Sequence, residues 1–277
     1  MKTQAEKGAA FHALHRRDGA FLIPNPWDIG SARLLAHQGF EALATTSAGF
    51  AFSLGRTDNK VNREESLAHA AEIVAATELP VSADLENGFG DRPEDAAETI
   101  RLAATAGLAG ASIEDMPHQG PLPVYELAHA VERIRAAAET VRGLPFRFTL
   151  TARAENYLVG RPDLKDTIAR LEAYQAAGAD VLYAPGLTSI SDITSVVRSV
   201  DRPVNVLATA QLTRAALSDA GVKRISVGSA LTRAAYGAFL RAAEEMRERG
   251  TFAFAAEAIS FGDITAIFQS MNNTNAG

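Results

Sequence analysis

Eight short β-prone runs recur along this chain, each separated from the next by enough residues for a helix. That alternation limits the possible folds more than any other feature. The runs are 21–23, 42–46, 80–84, 111–113, 146–152, 181–183, 204–207 and 224–227. Between them, apolar residues step at helical spacing, as in Leu127, Val131, Ile134 and Ala138, or Leu164, Ile168, Leu171 and Tyr174. Each set makes one apolar face with charge opposite. Punctuation agrees. Gly107, Gly178 and Gly221 follow helical runs and precede strands, where glycine supplies a left-handed cap. Pro80, Pro145 and Pro203 directly precede strand runs, where a missing N–H is tolerated. Eight strand–helix units in 277 residues predict an α/β fold, a (β/α)8 TIM-type barrel. A doubly wound open sheet would show a glycine-rich phosphate turn after its first strand, and the segment from Pro24 to Asp28 has none.

No Ser/Pro-rich linker divides the chain, so 1–277 reads as one domain. Residues 250–268 read as an additional C-terminal helical segment, apolar enough to need burial against a partner subunit. Residues 270–277 are small and polar and read as a flexible tail. A net charge of −6 without a Lys/Arg cluster argues against nucleic acid as a partner. There is no Cys, which excludes disulfides, thiolate metal sites and a cysteine nucleophile and fits a cytoplasmic protein. The N-terminus lacks the apolar core of a signal peptide. No run approaches the ~18 apolar residues of a membrane span, so no membrane partner is expected.

Two consecutive strand runs stop on carboxylates: Asp84 and Glu86 after the third, Glu114 and Asp115 after the fourth. Strand residues two apart share a face, so Asp84 and Glu86 can aim at one point. Carboxylates this close repel unless a cation lies between them. Hard oxygen ligands suit Mg²⁺, with Mn²⁺ as the alternative. The same residues also read as solvated loop acids or helix caps.

In barrels of this kind catalytic groups project from the strand C-termini. Those ends also carry Asn25, Trp27 and Asp28, then Ser47, Ala48 and Gly49, then Arg153 and Glu155, with Asn205 on the seventh strand and Ser229 after the eighth. The backbone N–H groups of the Ser47–Gly49 turn can hold a carboxylate. Arg153 is the one strong cation among these ends; it can bind an anion bidentately or stabilise an oxyanion. Alternatively it is a barrel-mouth salt bridge to Glu86 or Glu114. A divalent cation, an arginine and an amide-rich turn suit a small anionic 2-oxo acid.

These residues resemble the isocitrate lyase/phosphoenolpyruvate mutase superfamily. Its Asp-x-Asp-x-Gly-x-Gly motif is similar to the run from Asp84 to Gly90, with Glu86 for the second Asp. Its Glu-Asp, Ala-Arg and Ser-x-Gly elements are similar to Glu114–Asp115, Ala152–Arg153 and Ser47–Gly49, and a lid Asp is similar to Asp58. The resemblance runs from about Phe21 to Leu240. It implies a (β/α)8 barrel, Mg²⁺ near Asp84 (with Glu86 and Glu114 reaching it through water), an enolate intermediate, and a tetramer exchanging its last helix between subunits.

The departures narrow the expectation. The lyase-type Lys-x-Cys-Gly-His loop is replaced by the run from Met116 to Pro123, without Cys or Lys, and the Phe-x-Glu after strand six becomes Tyr183-Ala184-Pro185. A lyase that must protonate a carbanion needs the missing acid; a decarboxylase does not. The leading expectation is a Mg²⁺-dependent carbon–carbon lyase, of decarboxylase or related type, on an oxaloacetate-like acid. Asp58, His118 and Arg153 are then its catalytic candidates, and Ser47, Ala48, Gly49, Arg153 and Asn205 its substrate contacts. Phosphonopyruvate hydrolase or mutase-type P–C chemistry, with His118 and Gln119 near the phosphorus, is the alternative. A barrel that binds metal and anion without turnover is the third.

Overall fold

The computed structural model describes residues 2–274. Eight parallel strands form the centre: β1 (Phe21–Ile23), β2 (Leu43–Ala44), β3 (Val81–Asp84), β4 (Gly110–Glu114), β5 (Thr149–Arg153), β6 (Val181–Tyr183), β7 (Val204–Leu207) and β8 (Arg224–Ser226). Their order around the sheet is β1-β8-β7-β6-β5-β4-β3-β2. The seam between β1 and β2 has no ladder. It is stitched by Ala44 N donating to the Pro24 carbonyl at 3.1 Å and by Asn25 Nδ2 donating to the Thr45 carbonyl at 3.1 Å. The other face of the Asn25 amide accepts from Val227 N and Gly228 N, so one side chain joins β1, β2 and the end of β8. The expected (β/α)8 barrel is what forms.

The helices in chain order are α1 (Gln4–Leu14), α2 (Ile29–His37), α3 (Ser47–Ser53), α4 (Arg63–Ala76), α5 (Pro93–Thr105), α6 (Leu127–Arg142), α7 (Leu164–Ala177), α8 (Ile190–Ser199), α9 (Arg214–Asp219), α10 (Ala230–Arg249) and α11 (Phe261–Thr274). Local chemistry fixes their ends. Asp28 and Asn62 cap α2 and α4 through the third-residue N–H, and Gly178 ends α7 at φ 113°. Small residues on the inner helix faces, such as Ala96, Ala103, Ala130 and Ala137, bring α5 and α6 close to the strands. Helix α1 precedes the first strand and sets Phe11 and Leu14 against Phe21, Ile23, Ala42 and Ala109. These residues lie at or near the strand starts, so α1 covers the N-terminal end of the barrel and leaves the other end open.

Three boundaries differ from expectation. The fifth strand begins at Thr149 rather than at residue 146. Ser47, Ala48 and Gly49 are the first turn of α3, capped by Thr46, rather than a free turn. The C-terminal segment opens with a left-handed cap at Gly250 and a 3-10 turn (Ala253–Ala256), and its helix runs from Phe261 to Thr274. The first part of the expected tail is therefore helical, and 275–277 lie outside the described residues. No helix among the described residues is long and apolar enough to cross a membrane.

Candidate active site

The strand ends bring the polar groups together at the open end. Asp84 ends β3, Glu114 ends β4, Arg153 ends β5 and Tyr183 ends β6. Arg153 is at the centre. Its Nη1 donates to Asp84 Oδ1 at 2.7 Å, its Nη2 lies 3.1 Å from Glu114 Oε2, and its Nε donates to Glu155 Oε1 at 2.9 Å. The guanidinium lies 5.3 Å from the centroid of the Tyr183 ring, within cation–π range. Burial opposes its charge, but Glu155, Glu114 and Asp84 hold its pKa well above the ordinary value. The salt-bridge reading of Arg153 is thus correct for Glu114; Glu86 is not among its ion-pair partners.

Asp84 is also held from the lid side. Its Oδ2 accepts from Ser47 Oγ at 2.9 Å and from Ser47 N at 3.2 Å. The Gly49 N–H is committed to Thr46 Oγ1, so that donor of the α3 turn is not free for a ligand. Asp58, on the exposed rim between α3 and α4, hangs over the same cavity. Desolvation there, then the charge of Asp84, raises its pKa.

Glu86 differs from its neighbours. It is 2% exposed, and both carboxylate oxygens lack a hydrogen-bond partner. Its backbone is left-handed at φ 51°, a conformation that costs a non-glycine residue about 1–3 kcal/mol. Burial first, then Asp84 and Glu114, push its pKa up to about 9. His118 approaches it with Nδ1 at 3.4 Å from Oε2, and its Nε2 is 3.8 Å from Glu114 Oε1. Orphaned buried carboxylate oxygens beside two further acids fit a hard divalent cation. Among the described residues no group of three or more acids or histidines is arranged to hold a metal ion.

The loop that presents Glu86 is clamped from behind. Arg133 of α6 is 1% exposed and donates to the carbonyls of Gly90 at 2.7 Å, Arg92 at 3.2 Å and Asn87. It lies over Tyr125, whose hydroxyl donates to Asp91 and accepts from Asn87. Thr99 Oγ1 donates to the Gly88 carbonyl at 2.7 Å.

Two expected residues serve other ends. Asp115 turns away from the mouth and accepts from Glu155 N, Arg170 and Tyr174. Asn205 lines the cavity, but its Nδ2 donates to Ser226 and its Oδ1 accepts from Arg224. One bond at each amide atom ties it into the barrel interior, and it still lines the cavity. Sequence reasoning missed Arg133 and the role of Tyr183. The signal for Arg133 was its position between Ala130 and Ala137, on the inner face of α6. The cavity bounded by Ser47, Asp58, Asp84, Arg153, Tyr183 and Leu158 has a volume of about 160 Å³. A hollow of about 680 Å³ lies at the covered end, near His12 and His15. Size does not make it the site, since barrel chemistry belongs to the strand C-termini.

The family model for phosphoenolpyruvate phosphomutase matches residues 11–247, and the chain belongs to that family. A crystal structure from Burkholderia cenocepacia J2315, of a protein provisionally described as a lyase/mutase, is 60% identical with a TM-score of 0.94 and 96% of each chain covered. The 2-methylisocitrate lyase of Halalkalibacterium halodurans is 26% identical over 262 residues, which are 90% of this chain and 85% of that one. A phosphonopyruvate hydrolase solved with oxalate and Mg²⁺ shares the fold at 21% identity, with a TM-score of 0.86 over 99% of this chain and 98% of that one. The family match and the relatives place this protein among carbon–carbon lyases and mutases.

Proposed function

We propose that this protein is a Mg²⁺-dependent carbon–carbon lyase that decarboxylates, or cleaves in a related way, a small oxaloacetate-like 2-oxo acid. The observation that carries the reading is the orphaned Glu86 carboxylate close to Asp84, Glu114 and the fixed Arg153 guanidinium, where Asp84 and Arg153 line a cavity sized for a small acid. Asp84 would hold the cation directly, with Glu86 and Glu114 reaching it through water, and the ion would supply Lewis-acid stabilisation of charge on the 2-oxo oxygen when bound.

The chain's own groups supply the rest. Arg153 is fixed by its carboxylates and by Tyr183, so it meets charge that develops on the substrate's 2-oxo oxygen without reorganising. The bond to the leaving carboxylate breaks, its electron pair enters the enolate, and CO₂ departs. No proton needs to reach a leaving carbanion, which fits a lid carrying His118 and no cysteine. Asp58 lines the cavity from its rim and is the group placed to pass a proton to the enolate carbon. Oxaloacetate loss with Mg²⁺, compared between wild type and Asp84→Ala, tests the reading. Equal rates would sink it, because free Mg²⁺ alone decarboxylates oxaloacetate.

The same reading includes a homo-oligomer, for which the exposed Phe239, Phe252 and Phe261 around α10 and α11 provide the apolar surface.

A further inference from the structure

Strand register aligns Glu114, Arg153, Tyr183, Asn205 and Arg224 as successive partners on β4, β5, β6, β7 and β8. The row starts at the last residue of β4 and ends at the first residue of β8, so it descends from the mouth to the floor of the barrel. Arg153 pairs with Glu114 and lies on Tyr183. Tyr183 pairs with Asn205 in register, Ser226 accepts from Asn205, and Asn205 accepts from Arg224 at 2.9 Å.

The two cations of this row have opposite surroundings. Arg153 has three carboxylates. Among the described residues the hydrogen-bond partners of Arg224 are neutral: Asn205 Oδ1, Thr151 Oγ1 at 3.0 Å, and His15 Nε2 at 3.5 Å. His15 stays neutral because burial and then Arg224 itself drive its pKa down to about 3. Arg224 is 5% exposed and lines the cavity below Arg153. A buried charge without a counter-ion is costly to a fold, and an anion in the adjoining cavity would offset that cost.

We propose that Arg224 is a specificity-determining residue: its unneutralised charge at the floor of the cavity makes the site select small dianions over monoanions. It acts through space and through Asn205, not by touching the substrate. This rests on the functional reading above and names the charge class of the substrate. A doubly charged acid senses the fixed charge twice as strongly as a singly charged one.

The test is binding of oxalate and of pyruvate with Mg²⁺ present, followed by the fluorescence of Trp27, the single tryptophan. It is run on wild type, Arg224→Met and Arg224→Lys, with thermal melting of each. Arg224→Met is expected to weaken oxalate about tenfold and pyruvate about threefold, with a melting temperature unchanged or higher. Arg224→Lys restores the preference for oxalate. Equal weakening of both acids, or none, overturns the proposal. So does an Arg224→Met protein that does not fold, which assigns Arg224 to the fold alone. Failure of wild type to bind oxalate at all removes the functional reading itself, and this inference with it.

Discussion

Arg153 Nη1 lies 2.7 Å from Asp84 Oδ1, so the cation of the site and a proposed metal ligand already neutralise each other. Neither side chain needs to be fetched when substrate and metal arrive. The geometry predicts a strict requirement for the guanidinium fork, since Lys cannot meet Asp84, Glu114 and Glu155 together. Arg153→Lys should lower kcat for oxaloacetate loss by about 10²–10³ with a smaller change in KM. Steady-state kinetics at saturating Mg²⁺ checks this; a change confined to KM would assign Arg153 to ground-state binding.

Glu86 predicts a proton released on metal binding. Its pKa rises to about 9 in the metal-free fold, so at pH 7.5 it is protonated there and must ionise to receive a cation. Titration of Mg²⁺ by calorimetry in two buffers of different ionisation enthalpy should show about one proton released per ion at that pH. The linkage has a definite sign. A folded pKa raised above the unfolded 4.5 contributes stability below that value and loses it as pH rises toward 9. Mg²⁺ should therefore raise the melting temperature more at pH 8.5 than at pH 6. Glu86→Gln should abolish both the proton and this pH trend.

Arg133 predicts a separable effect on the metal loop. Arg133→Met keeps the stem packed but leaves carbonyls of Asn87, Gly90 and Arg92 without their donor. Loss of about 3 kcal/mol in urea unfolding is expected, from charged hydrogen bonds removed and acceptors stranded. The left-handed residues Glu86 and Phe89 would relax, and Mg²⁺ affinity should fall with the fold retained. An unchanged affinity would show that the loop holds its shape unaided.

His15 predicts acid sensitivity at the covered end. Its folded pKa of about 3 lies below the unfolded 6.5, so the unfolded chain takes the proton first. Its contribution is complete above pH 6.5 and is lost as pH falls toward 3, at up to ~1.4 kcal/mol per pH unit. Asp180 nearby works in the other direction, because burial raises its pKa. Urea midpoints measured from pH 7 to pH 4 should fall less steeply in His15→Phe, which can keep edge-on ring contacts with Phe11 and Phe21. Parallel slopes in the two proteins would exclude His15 as the cause.

The barrel was legible because its signal is local and repeated. Leu127, Val131, Ile134 and Ala138 describe one turn of helix after another, and Gly178 announces its own left-handed cap. Asp84, Glu114 and Arg153 were legible for a related reason: a strand that ends on a charged residue in this fold ends at the mouth. The remaining features depend on what lies across space. Nothing in the letters near Asn205 says that Arg224 and Ser226 will bond its amide. The run from Ser47 to Gly49 is small enough for a turn or a helix start, and the Thr46 hydroxyl decided for the helix. Asp115 and Glu114 are adjacent, so alternation sends them to opposite sides, and only Arg170 and Tyr174 show which side is structural.

The lid hangs from the most loosely bonded edge of the barrel. Strand β2 has two residues and, among the described residues, is tied to the end of β1 by a backbone bond at Ala44 and by the Asn25 side chain, yet it leads directly into Ser47 and the rim carrying Asp58. Displacing that rim breaks few hydrogen bonds, while the ladders that fix Glu114, Arg153 and Tyr183 stay intact. Under the proposed function, admission and chemistry would fall on separate arcs of one ring, and substitutions along the β1–β2 seam would retune how fast small acids enter and leave without disturbing the groups that act on them.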